Sequence, residues 1–540
     1  MTRNTLINQI RDVATLALGI EGELPSFELN IAADAKFGDY ATNIAMVVAK
    51  LRAASPREIA ESLTPGFEKL EGVAKVEIAG PGFINLTMTG EYWAHSIASH
   101  SSHSSAGKLG KLQVEFISAN PTGPMTLANA RGGFVGDALA SVLSESGWNV
   151  EREYYINDAG GQVTKLADSV RAEKGIKIEG DRQYQGEYIA ELAAKVEITK
   201  DSEPKLIERE LVNIVVEQYL KPAVSRLGIS FDTWFSEASL EESGDAGEVI
   251  DALRKTGLVI EKDGAIWLRS TKLGDERDRV LVRSSGEATY LLRDLGYHWN
   301  IFMKRGFNRS IKLWGADHAG QVNSLKLSLS KIVPDAEINF LLLQFVRLIR
   351  DGAEIKMSKR AGTYVTVDEL LDMLEEGVGR QHAVNVARWF FLARSVDNRI
   401  DFDLNIAREE SQKNPYFYVM YSYARALSLL AKAAENDLLP KQPEALSQET
   451  EVSLAKLISN VADMRELIAT DFGVQRLPHA CYELAKVFTN LYESERILDL
   501  PLPDANTRLY VVQHYVEALE YLFGLMGVTP IRKMISESPE

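Results

Sequence analysis

Between residues 112 and 158 the chain reads strand, turn, helix, strand, and no other stretch limits the possible fold as tightly. The four segments are LQVEFISA, NPTGP, NARGGFVGDALASVLSESG and NVEREYYIND. Phe134, Ala138 and Val142, with Val135 and Leu139, recur at helical spacing and give one apolar face, and Gly147 stands where the helix would stop. Two strands joined through a helix make a parallel β-α-β unit. A second unit follows later: RSIKLWGADHAG is a strand running into a Gly-flanked turn, QVNSLKLSLSKI a helix, and INFLLLQFVRLI one buried strand of near-continuous apolar character. Repeated units of this kind imply an α/β, Rossmann-like, doubly wound sheet whose ligands sit at the carboxyl ends of its strands. The NPTGP turn then opens a helix whose N-terminal N–H groups and dipole favour phosphate.

A chain of 540 residues exceeds the roughly 250 to 300 residues at which one core stops growing, so three domains are expected. The first, 1–110, is a small α/β accessory unit. In it Asp39 is placed to cap a helix with apolar positions Ile44, Val47, Val48 and Leu51, and VAKVEIAGPGFINLTMTGEYW reads as two strands about a Gly-Pro-Gly turn. It ends in the aperiodic HSSHSSAGKLGK, a linker in which His100 and His103 lack the carboxylate or thiolate neighbours of a metal site. The catalytic domain spans 111–404, with a more charged insertion near 165–275. From 405 to 540 the pattern is helical almost throughout. Tyr416, Val419, Met420, Tyr423 and Ala424 follow 3.6-residue spacing, which makes an all-α bundle the simplest third domain.

Composition excludes several classes. The single cysteine, Cys481, rules out an intrachain disulfide framework and a thiolate zinc cluster, and no run approaches 18 apolar residues. A cytoplasmic protein is expected. The net charge of −16 opposes nonspecific nucleic-acid binding but leaves room for a local basic face.

DGAEIKMSKRAG, residues 351–362, sets Lys356 and Lys359 three apart, with Gly352 and Gly362 bracketing the loop. Two ammonium groups so placed can meet triphosphate oxygens and offset the charge that builds as pyrophosphate leaves. Together with VEFISANPTGP, EYYINDAG, ATYLLRDLGYH, WGADHAGQV and NPYFYVMYSYAR, this loop makes the chain resemble bacterial arginyl-tRNA synthetases of class I. The resemblance runs in order from FGDYATNIAM to RLYVVQHYVEALEYLFGLMGVTPIRKM.

The resemblance implies a tRNA-contacting N-terminal domain, a Rossmann-like catalytic domain with insertions and a helical anticodon-binding domain. It also implies activation of L-arginine with ATP and Mg²⁺, without zinc, transfer to the terminal adenosine of tRNA(Arg), a need for bound tRNA before activation, and a monomer. Lys356, Lys359, Thr126 and Asn129 become the catalytic set. Glu115, Ser118 and Asn120 take the substrate's α-amino and carboxylate end, Tyr290 and Asp294 its guanidinium. Four residues apart on a helix, Tyr290 and Asp294 share a face, and Asp294 can accept paired hydrogen bonds from the planar fork. A carboxylate reading a guanidinium discriminates well enough that no editing domain is expected. His318 falls near both substrates, as a hydrogen-bonding side chain or as turn packing. Pro121, Thr122, Gly123, Pro124, Ala128, Arg131, Gly315, Met357 and Ser358 fall at the ATP site.

One departure stands out. The family signature reads Pro, apolar, His, apolar, Gly, His, Ala, Arg, where this chain has Pro124, Met125, Thr126, Leu127, Ala128, Asn129, Ala130 and Arg131. No histidine lies between 104 and 297 to replace the missing pair. The hydroxyl of Thr126 and the carboxamide of Asn129 still offer donors, and Ala128 adds a Cβ beside the nucleotide. Two readings compete with a working synthetase: a noncatalytic tRNA-binding paralogue that lost activation with its histidines, and a nucleotidyl transferase for a small metabolite. Retained Lys356, Lys359, Asp294 and Asn120 oppose the first, and the two flanking domains oppose the second.

Overall fold

The computed structural model describes residues 3–20, 22–32, 35–99, 108–178, 180, 182–355 and 364–532. Its centre is a five-stranded parallel sheet made of β1 (Lys111–Glu115), β2 (Asn149–Ile156), β3 (Thr233–Ser236), β4 (Arg309–Gly315) and β5 (Glu337–Leu343), in the order β5-β4-β1-β2-β3. From β1 the chain adds strands on one side as far as β3, then returns to add β4 and β5 on the other. The direction of winding therefore reverses between β1 and β4, where α/β sheets open a crevice for ligands.

Alternation along β1 and β4 gives this sheet two unlike faces. Leu112, Val114, Ile311 and Leu313 are apolar and buried, whereas Gln113, Glu115, Ser310 and Lys312 are polar and equally buried. Lys312, Glu115 and Glu153 pair in register across β4, β1 and β2, so the polar groups form one row. Helix α1 (Leu127–Glu145) joins β1 to β2, and Phe134, Val135, Ala138, Leu139 and Val142 are all buried as their spacing requires. It lies close to β1 at Gly136, where a Cβ would come within 2.2 Å of the Phe116 ring, so only glycine fits.

Around this core the small α/β unit is a four-stranded antiparallel sheet, Leu29–Ile31, Tyr40–Thr42, Phe83–Met88 and Val73–Ala79, with helices over it. The C-terminal part consists of the helices Pro415–Glu435, Glu449–Ser459, Val461–Asp471, Arg476–Ser494 and Leu502–Met526, and Tyr416, Val419, Met420 and Tyr423 lie fully inside it. No helix among the described residues is long and apolar enough to cross a membrane.

Three local expectations change. INFLLLQFVRLI is not one strand: β5 ends at Leu343, and Val346–Arg350 joins a second sheet beside Ile400–Asp403. Between them Gln344 turns its carbonyl to Arg131 and its N–H to Val396, two bonds that leave no continuous ladder. Asp39 does not cap the helix Ile44–Arg52, whose N-cap is Asn43. Its buried carboxylate accepts from the N–H of Met88 at 2.6 Å and pairs with Lys456 of the helical domain. Finally, β3 lies within the stretch expected as an insertion, which separates into helices before it and a three-stranded antiparallel sheet, 259–282, after it. The His100 and His103 linker lies outside the described residues.

Candidate active site

The carboxyl end of β1 leaves the sheet through two residues in the left-handed region, Ile117 at φ 65° and Ser118 at φ 41°. Such a conformation costs of order 1 kcal/mol or more in a non-glycine residue and persists only where neighbours enforce it. The enforcing bonds are visible: the hydroxyl of Ser118 donates to Glu115 Oε1 at 2.9 Å and accepts from the N–H of Tyr155 at 3.1 Å, while the Tyr154 hydroxyl donates to the Ala119 carbonyl at 3.0 Å. Opposite this turn, helix α2 (Tyr290–Trp299) presents its N-terminal turn, and β4 ends at Gly315 ahead of α3 (Ala319–Ile332). Together they enclose a cavity of about 290 Å³. Glu115, Ser118, Asn120, Tyr290, Asp294, Gly315 and His318 all line it, although they come from positions two hundred residues apart.

Negative charge dominates this cavity. Among the described residues no side chain donates a hydrogen bond to the carboxylate of Asp294. Burial and the nearby Glu237 and Glu115 push it up to about 7, against a smaller pull from Lys312. Glu237, buried on the same wall, is raised by desolvation and drawn back by Arg293 at 3.2 Å, and the carboxamide of Asn157 donates to its other oxygen at 2.9 Å. Glu115 differs from both because it is already neutralised: Lys312 Nζ donates to its Oε2 at 2.7 Å and Tyr297 adds a hydroxyl at 3.2 Å. An arrangement with an unpartnered carboxylate backed by a second one is built for a cation that brings several donors. Tyr290, half exposed at the first turn of α2, offers its ring and hydroxyl at the rim. His318 is also half exposed, with its ring 5.8 Å from Trp314.

At the phosphate end, Thr126 caps α1 and is bound up with Asn129. Asn129 Oδ1 accepts both from the N–H of Thr126 and from its hydroxyl, each at 2.9 Å. The Thr126 hydroxyl proton is therefore spent within the cap, and of the two side chains only the Asn129 amide nitrogen keeps free donors among the described residues. Ala128 is exposed beside them, and Pro121, Thr122 and Gly123 are buried, with Gly123 so close to the Tyr188 ring that a Cβ would meet it at 2.8 Å. Arg131, expected at the ATP site, faces away. Its buried guanidinium donates to the carbonyls of Gln344, Ser395, Val396 and Asn398, and ties α1 to the segments that lead into two strands of the second sheet. Lys356, Met357, Ser358 and Lys359 lie outside the described residues. The chain that follows them is clipped to the phosphate turn: Leu127 N–H donates to Val365 O at 3.1 Å and Val367 N–H to Met125 O at 2.9 Å.

Several lining residues escape a reading of motifs. Glu237, Arg293, Tyr155, Tyr297 and Gln321 join the cavity from strands and helices that no short spacing links. Tyr155 lies in EYYINDAG, Arg293 and Tyr297 in ATYLLRDLGYH and Gln321 in WGADHAGQV, so of these five Glu237 alone sits in a stretch without a motif.

Three family models match successive parts of the chain. The arginyl tRNA synthetase N terminal domain model matches residues 4–88, the class I (R) tRNA synthetase catalytic domain model 95–387, and the DALR anticodon binding domain model 419–534. An arginine–tRNA ligase of Carboxydothermus hydrogenoformans is 39% identical, over 96% of this chain and 96% of that protein. One of Geobacillus thermodenitrificans is 36% identical, over 97% of this chain and 98% of that protein. Thermus thermophilus arginyl-tRNA synthetase superposes with a TM-score of 0.80 at 19% identity, over 99% of this chain and all of that one, a likeness of fold. With its catalytic module matched over most of its length and its relatives aligned nearly end to end, the chain belongs to the arginyl-tRNA synthetase family.

Proposed function

We propose that the protein activates L-arginine with ATP and transfers it to the 3′-terminal adenosine of tRNA(Arg). The observation that carries this reading is the anionic cavity at the β1/β4 switch point, where Asp294 has no side-chain donor among the described residues and Glu237 backs it. In the first step the substrate's α-carboxylate attacks the α-phosphorus of ATP and pyrophosphate leaves. In the second, a ribose hydroxyl of the terminal adenosine attacks the acyl carbon and AMP leaves. Asp294 and Tyr290 hold the guanidinium. Glu115, Ser118 and Asn120 orient the α-amino acid end, and the amino terminus of α1 faces the phosphates. Lys356 and Lys359 offset the charge on departing pyrophosphate. Among the described residues no three His, Cys, Asp or Glu side chains are placed to hold a metal ion; the Mg²⁺ that class I synthetases generally use comes as a companion of the ATP substrate.

The tRNA is assigned to the two flanking domains, taken as 1–110 and 405–540 about a catalytic 111–404. On the helical domain a cleft of about 650 Å³ is lined by Tyr421, Arg425, Ser428 and Arg532, a basic and aromatic surface on an acidic protein, which suits unstacked bases. On the accessory domain Phe37 is exposed beneath Lys36, whereas Tyr40 is buried against Trp93. The protein is read as a cytoplasmic monomer.

Arginine-dependent ATP–pyrophosphate exchange, measured with and without tRNA(Arg), tests the whole reading. Exchange that requires arginine and rises with tRNA is expected. Tight tRNA binding without any exchange would instead favour the noncatalytic alternative, for which loss of the signature histidines is the motive.

The cap geometry makes a second, asymmetric forecast. Asn129→Asp keeps the acceptor that Thr126 needs but replaces the amide donor with a negative charge, so activation should fall at least about tenfold. Thr126→Val removes a hydroxyl that points into the cap, and should change the rate by no more than about threefold while costing about 1 kcal/mol of stability. Single-turnover adenylate formation beside urea denaturation separates the two effects. Equal rate losses would show that Thr126 also reaches the nucleotide.

A further inference from the structure

Beneath the cavity floor lies a buried ion network built on a lysine that the proposed mechanism does not use. Lys312 is its centre and has no exposed surface. Its ammonium donates to Glu115 Oε2 at 2.7 Å and Gln113 Oε1 at 3.0 Å, and lies 4.1 Å from the centre of the Tyr297 ring. The Tyr297 hydroxyl lies between the two carboxylates, closer to Glu153 and 3.2 Å from Glu115, while Arg305 pairs with Glu151 at 2.6 Å and with Glu153. Burying a lysine costs several kcal/mol unless its partners are well placed, and an apolar side chain of like size would hold the sheet together at least as well. Packing alone does not account for a lysine here.

We propose that Lys312 is a positioning residue for arginine recognition: it ion-pairs Glu115 from below, holds that carboxylate at the cavity wall, and places a buried positive charge behind the anionic site that meets the cationic substrate. The proposal rests on the reading that this cavity binds arginine. Lys312 cannot touch the substrate, because Glu115 and Tyr297 lie between. Its effect passes through the carboxylates. Asp294 faces Glu237 from the segment after β3, Glu115 from β1 and Lys312 from β4, with Tyr155 of β2 also within its field. Of these only Lys312 favours the charged form. Lys312 itself faces Glu115, Glu153, Arg305 and the neutral, fully buried His298, and burial lowers its own affinity for a proton. The bonds to Glu115 also fix which oxygen is turned away: Oε2 is taken by Lys312 and Tyr297, and Oε1 is held by Ser118 at the cavity wall.

The experiment is the pH dependence of KM for arginine between pH 6 and 9, from ATP–pyrophosphate exchange by the full chain with tRNA(Arg). In the unaltered protein KM should rise as pH falls through the neutral range; a flat profile would overturn the arginine reading of the cavity itself. Lys312→Met should move that limb upward by about one pH unit, raising KM about tenfold near pH 7 and much less at pH 9. The KM for ATP and kcat at saturating arginine should stay within about threefold. Lys312→Arg, which returns a cation, should move the limb back. If Lys312→Met fails to fold, Lys312→Met with Glu153→Gln removes one charge of each sign, leaves Glu115 without its cation, and should show the same displacement. A limb that stays in place in the folded variants would overturn the proposal and leave Lys312 a purely structural group.

Discussion

Asp294→Asn is expected to lower kcat/KM for arginine by about a thousandfold, with the KM for ATP little changed. The substitution preserves shape, so the loss reports charge and hydrogen bonding. Removing one partner of a buried ion pair costs about 3 to 5 kcal/mol, because the remaining charge stays desolvated. At about 1.4 kcal/mol per tenfold, the middle of that range gives the expected factor. The pH dependence gives a second readout with a definite sign. Only the carboxylate form can accept from a guanidinium, and the carboxyl of Asp294 is pushed up from the usual 3.8 to about 7 by burial, Glu237 and Glu115. Arginine affinity should therefore be full above that range and decline as pH falls through it. The arrival of the cation itself pulls the proton off, so saturating arginine should shift the decline to lower pH. Asp294→Asn should abolish the limb. An unchanged kcat/KM would mean that Glu237 or another group, and not Asp294, meets the guanidinium.

Lys356→Ala and Lys359→Ala should each slow adenylate formation by about a hundredfold or more while leaving arginine affinity intact. Two ammonium groups three residues apart are available for pyrophosphate, and the chain leaving the loop is tied by Leu127 and Val367 directly onto the turn that opens α1. On the proposed function the two lysines meet the nucleotide's phosphates and not the arginine end. Because the gain is realised as charge moves onto the leaving group, the loss should fall on the rate and spare ground-state binding. The double variant should lose less than the product of the single losses, since the two cations share one anion. Pre-steady-state pyrophosphate release measures this. A pure rise in the KM for ATP, with kcat kept, would assign the lysines to ground-state binding.

Local order was readable wherever it depends on neighbours in sequence. The helical face of Phe134, Ala138 and Val142, the stop at Gly147, the hairpin of Val73–Ala79 and Phe83–Met88, and the buried Tyr416, Val419, Met420 and Tyr423 all express periodicity. So did the helix that sets Tyr290 and Asp294 on one face. Misjudgements arose where a distant group competed with a local preference. Asp39 stands where a cap residue would, yet Lys456 and the N–H of Met88 take its carboxylate. Arg131 follows the phosphate turn, yet the carbonyls of Gln344 and of residues 395, 396 and 398 hold its guanidinium. INFLLLQFVRLI is apolar throughout, and hydrophobicity alone does not say that two different sheets share it.

By itself the sequence determined the doubly wound class, the helical C-terminal part and the family. Each of these is carried by residues a few positions apart or by motifs in a set order. Only the tertiary structure decided the electrostatics of the site. It brought Glu237 and Lys312 into the field of the Asp294 carboxylate, left that carboxylate without a side-chain donor among the described residues, and turned the Thr126 hydroxyl onto Asn129 within the cap. The physical reason is that charge acts through space: strand order and register bring Lys312 beside Glu115 across nearly two hundred residues, and no local spacing encodes that distance.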